Sequence, residues 1–72
     1  MSNVAPEVTK QLMENQLRLW QNTLEDCRIS AKVADAIEDS TRKDAVLVES
    51  KKCVKAIEAL EKMLTELDEI KT

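Results

Sequence analysis

The chain has no histidine, glycine, phenylalanine or tyrosine, one proline, one tryptophan and two cysteines. Each shortage closes a route. Without histidine there is no side chain whose ordinary pKa suits proton transfer near neutral pH, and no imidazole to ligate zinc or complete the Glu-x-x-His pairs of di-iron helical bundles. Without glycine there is no glycine-rich phosphate loop. The cysteines, Cys27 and Cys53, stand alone rather than in a Cys-x-x-Cys pair. Two thiolates do not complete a zinc site, and two cysteines are sparse for a disulfide-built secreted scaffold. No nucleophile has a base beside it. We therefore expect no catalytic residue, no metal and no cofactor.

Charge and hydropathy narrow the partners. The net charge of −3 is the wrong sign for a nucleic-acid binder, whose expected footprint is a basic face. No run approaches the ~18 apolar residues of a membrane span. Residues Ser2-Asn3-Val4-Ala5-Pro6 show neither the basic stretch nor the apolar core of a targeting signal, which leads us to expect a cytoplasmic protein with reduced thiols.

What the sequence does contain is helix. It is rich in the strong helix formers Ala, Leu, Glu and Lys, and nothing interrupts it after Pro6. Pro6 suits the first helical position, with Glu7 complementing the helix dipole one residue later. The best break is Glu38-Asp39-Ser40-Thr41-Arg42-Lys43-Asp44, where Asp39, Ser40 or Thr41 can cap a helix, Thr41 with Asp44 in capping-box spacing. We expect a single helical domain over residues 1–72: helix 1 over about 6–38, a turn at about 38–42, and helix 2 over about 42–70. One unbroken rod is the alternative if the missing glycine prevents a turn.

Periodicity supports two helices lying side by side. Met13, Leu17, Trp20, Leu24, Cys27, Ala31 and Ala34 follow alternating steps of four and three, as do Val46, Ser50, Cys53, Ile57, Leu60, Leu64 and Leu67. That is the heptad seam of paired helices. Folding one series back on the other in constant-sum layers sets Trp20 opposite either Leu64 or Ile57. Trp20 then reads as a packing anchor, its indole N–H needing Glu61 or water as acceptor. The two thiols lie within about one layer of each other; they read as small buried hydrophobes rather than a redox pair.

The seams do not use all the apolar residues. Val8, Leu12 and Leu19 on helix 1, and Leu47, Val54, Ala56, Met63 and Ile70 on helix 2, lie outside them. A chain this short buries only about 60% of its unfolded surface, and ordering it costs roughly 1.5 kcal/mol per residue, so a partner subunit is the expected supplement. The fold class is all-α: an antiparallel helical hairpin dimerising into a four-helix bundle. The core and interface residues are Met13, Leu17, Trp20, Leu24, Cys27, Ile57, Leu60, Met63, Leu64 and Leu67. Ile29, Val33 and Ile37 form a second stripe out of phase with the first, so the alternative is a three-helix bundle with a break near Ser30.

The acids Glu25, Asp26, Glu58, Glu61, Glu66, Asp68 and Glu69 read as a solvated face, Glu58 beside Lys62 at helical spacing. Arg42, Lys43, Lys51, Lys52 and Lys55 gather on one segment and form the candidate contact for an anion or a partner. Self-association and protein–protein interaction are the leading functional expectation, with a homodimer and a further protein as partners. A helical-hairpin nucleic-acid regulator using the basic segment is the alternative, and an enzyme comes third.

Overall fold

The structure, a computed structural model, describes the backbone of residues 5–71 and the side chains of residues 5–69. Two α-helices, α1 (Pro6–Ala36) and α2 (Ser40–Lys71), account for nearly all of it. They pack against each other as a helical hairpin measuring 51 × 20 × 15 Å, about one helix thick and two wide. α1 runs without a break through Ser30, so the three-helix alternative does not form. Neither does the single rod.

α1 begins without a side-chain cap. Ala5 is extended, its carbonyl accepts from the amides of Val8 (3.0 Å) and Thr9 (3.1 Å), and Pro6 occupies the first turn, where its missing N–H costs nothing. The other end solves the problem posed by the lack of glycine. The Asp39 amide donates to the Ala34 carbonyl (2.8 Å) and the Glu38 amide to the Asp35 carbonyl (3.1 Å), which is the Schellman pattern. That pattern needs a left-handed residue, and Glu38 supplies it at φ 60° despite its Cβ.

Asp39 then serves both helices. Its carboxylate Oδ1 accepts from the Arg42 amide at 3.0 Å, and its carbonyl accepts from the Lys43 amide at 3.0 Å. It is thus the cap of α2, the first of the three candidates Asp39, Ser40 and Thr41, and α2 starts at Ser40 rather than near 42. The turn shrinks to Ile37, Glu38 and Asp39. Aspartate caps as well as threonine does, and only position 39 can finish one helix while starting the next.

The helices run antiparallel, with ion pairs near both ends: Lys10 to Asp68 at 3.3 Å and Lys43 to Asp35 at 3.0 Å. Between them lie the two cysteines, Cys27 near enough to Cys53 to influence its ionisation.

Two consequences of the turn can be measured by thermal unfolding. Glu38→Gly removes the left-handed penalty and should stabilise the hairpin by up to about 1 kcal/mol, a rise of several degrees in melting temperature. Asp39→Ala, which strips the cap from α2, should destabilise it by about 1 kcal/mol.

Candidate functional site

Because two helices can face each other along only one strip, full burial is confined to the narrowest part of the contact. Cys53 is 0% exposed, Ala34 1% and Cys27 7%. Met13, Leu17, Trp20, Leu24, Ile57, Leu60, Leu64 and Leu67 are half-buried, as are the seam residues Ala31, Val46 and Ser50. Met63 lies outside this strip and is exposed. Among the described residues the Trp20 N–H finds no acceptor and is left to solvent.

The thiol pair is chemically quiet. Both cysteines are free. Burial pushes the Cys53 thiol above its ordinary pKa, reinforced by the adjacent Cys27 and by the negative charge of Glu49. A thiol held protonated is a poor nucleophile and a poor metal ligand. Among the described residues no group of three or more Cys, Asp or Glu side chains could hold a metal ion, and no helix is long and apolar enough to cross a membrane.

The basic segment does not form one patch. Lys43 is half-buried and tied to Asp35, while Arg42, Lys51, Lys52 and Lys55 are exposed. Lys51 and Lys55 share a face one turn apart, and Lys52 is rotated about 100° away from Lys51. Lys51 and Lys55 flank a shallow groove of about 510 Å³ that also includes Leu47, Val54, Ser50 and Glu58. Arg42 instead closes a recess of about 130 Å³ with Ile29, Val33 and Ile37 of α1. Glu58 and Lys62 form no ion pair. The pair within α1, Arg28 to Glu25 at 3.3 Å, is exposed and so worth little.

No family model, curated protein or solved structure matches the chain. Function has to be read from the surface. Its main feature is apolar: Leu12 (56% exposed), Leu19 (58%), Ile29 (55%), Val33 (54%) and Ile37 (66%), with Val8, all lie on the side of α1 away from the seam. Sequence periodicity had flagged the last three as a fault in phase. They are the end of a second apolar stripe on an unbroken helix.

Two measurements test this description of the seam. Trp20→Ala should destabilise the hairpin by roughly 3 kcal/mol, the low end for a buried tryptophan because this one is half-exposed. The Cys53 thiol should give a pH effect of definite sign. Its folded pKa is raised, so the unfolded chain loses this proton first, and stability present below the ordinary thiol pKa falls as pH rises through the folded one. Unfolding curves between neutral and mildly alkaline pH should show this decline, and Cys53→Ala should flatten it.

Proposed function

We propose that this is a non-catalytic helical interaction protein whose hairpins associate with each other, a homodimer forming a four-helix bundle that can engage a further protein. One observation carries the reading: among the described residues three side chains are fully buried while ten large apolar side chains stand at 41% exposure or more. Scattered singly, exposed hydrophobics need no explanation. Six of the ten, Val8, Leu12, Leu19, Ile29, Val33 and Ile37, follow one side of α1 and its C-terminal end, and such an array is the kind of patch that marks an interaction site. Two hairpins stacked face to face bury such stripes in the geometry of four-helix bundles.

The nucleic-acid reading has less support. Its lysines point in different directions, one of its cations is held by Asp35, and no aromatic stands among them to stack a base. Strong, salt-sensitive retention on RNA or DNA at low ionic strength would restore it.

Sedimentation equilibrium tests the main proposal. The expected mass at micromolar concentration is twice the chain's 8.2 kDa, with a melting midpoint that rises with protein concentration. A stable, concentration-independent monomer would refute it.

A further inference from the structure

We infer that Cys27 and Cys53 are the two halves of an interhelical disulfide within one chain, a latch that an oxidant closes only by way of a transiently opened hairpin. The latch lies inside a single hairpin and does not depend on self-association.

The register brings the two thiols together. Lys10 and Asp68 are equidistant in sequence from Asp39, as are Asp35 and Lys43, and each of these couples forms an ion pair, at 3.3 and 3.0 Å. An antiparallel hairpin keeps that symmetry along its length. The residue level with Cys27 is then Lys51, and Cys53 lies two residues along, about 3 Å of helix rise. Lys51 and Lys52 are exposed, whereas Cys53 is fully buried, so of these three it is Cys53 that turns into the contact with α1. Cys27 is buried from the other side. Its influence on the ionisation of Cys53 is a second sign that the sulfurs are neighbours. The next seam residues toward the turn, Ala31 and Ser50, are both small, so no bulky pair props the helices apart on that side. A disulfide needs the Cβ atoms about 3.5–4.5 Å apart.

The chemistry decides when the bond forms. Thiol–disulfide exchange begins with a thiolate, and in the closed hairpin burial keeps the Cys53 thiol protonated and out of reach. Opening exposes both sulfurs. One thiolate then attacks a small-molecule disulfide of the glutathione class, forming a mixed disulfide and expelling one small thiol. As the helices come back together, the second cysteine attacks the protein-side sulfur and expels the other small thiol. The two cysteine protons end on the two released thiols, and the two electrons the cysteines lose have reduced the small disulfide. Closure of the hairpin then shields the bond as it shielded the thiols. Because the cross-link constrains the unfolded chain, the bond favours the hairpin and the hairpin favours the bond to the same extent.

Redox titration of the native chain tests this. The protein is equilibrated with reduced and oxidised glutathione, with and without denaturing urea, then alkylated in acid and digested with trypsin. The folded chain should yield residues 19–28 joined to residues 53–55. Its bond should also withstand at least about 10-fold more reducing buffer than it does in urea, expressed as the square of reduced over oxidised glutathione. A bond no stabler folded than unfolded, a bond between chains, or cysteines that end capped singly by glutathione would overturn the inference. The rate of oxidation checks the gate. Urea too dilute to unfold the protein should speed the reaction while weakening the bond at equilibrium. An unchanged rate would mean that the closed hairpin reacts directly, and the gate would be wrong.

Discussion

Two cylinders in contact share a single strip, and that geometric limit governs the rest of this structure. Along the strip, among the described residues, burial is complete only at three small side chains, Cys27, Cys53 and Ala34. The large seam residues, Trp20 and the leucines, reach across from both sides and remain half-exposed. Burial near 25 cal/mol per Å² has to offset an ordering cost of roughly 1.5 kcal/mol per residue, and half-burial of a dozen side chains leaves little surplus. The ion pairs do not close the gap. Lys10–Asp68 and Lys43–Asp35 are largely solvated, which limits each to at most about 1 kcal/mol.

The turn sets which side chains meet in that strip. A connection of Ile37, Glu38 and Asp39 leaves no slack for sliding, so the end of α1 and the start of α2 are fixed by the same few hydrogen bonds. The left-handed Glu38 is the cost of making this turn without glycine. Its position makes sense beside Asp39: a Schellman finish puts the left-handed residue just before the one whose amide bonds back into the helix, and here that residue also caps α2. The close pairing of the thiols halfway along the molecule is a downstream consequence of this register.

The seam was legible because it obeys a local rule. Steps of four and three from Met13 to Ala34 and from Val46 to Leu67 pick out side chains that the structure places at the contact, and this needs no knowledge of the turn. Register was not legible in the same way. Several layer pairings satisfy the same periodicity, and they differ only through how many residues the turn consumes. Capping chemistry misled for a related reason: Asp39, Ser40 and Thr41 are near-equivalent as caps, and the tie is broken by the carbonyls of α1, which a local reading of residues 38–44 does not include. Met63 shows a third limit. Its spacing marks it as apolar-face, but periodicity alone does not say whether that face meets the same chain or another.

Ile29, Val33 and Ile37 carry that point furthest. Read as part of one helix facing one partner, they are out of phase, and a break near Ser30 would be one remedy. The backbone has no reason to break there, since neither glycine nor proline interrupts its hydrogen bonds, and a break would leave several amides and carbonyls unpaired for the sake of three side chains. The helix therefore continues and the stripe faces outward. A helix with apolar residues on two sides suits neither a lone hairpin, which can cover one of them, nor a nucleic-acid binder, which would carry cations there. It suits an inner position between two neighbours, one from its own chain and one from another. The polar edge of Glu14, Gln21, Arg28 and Asp35 separates these two apolar sides along one flank of α1.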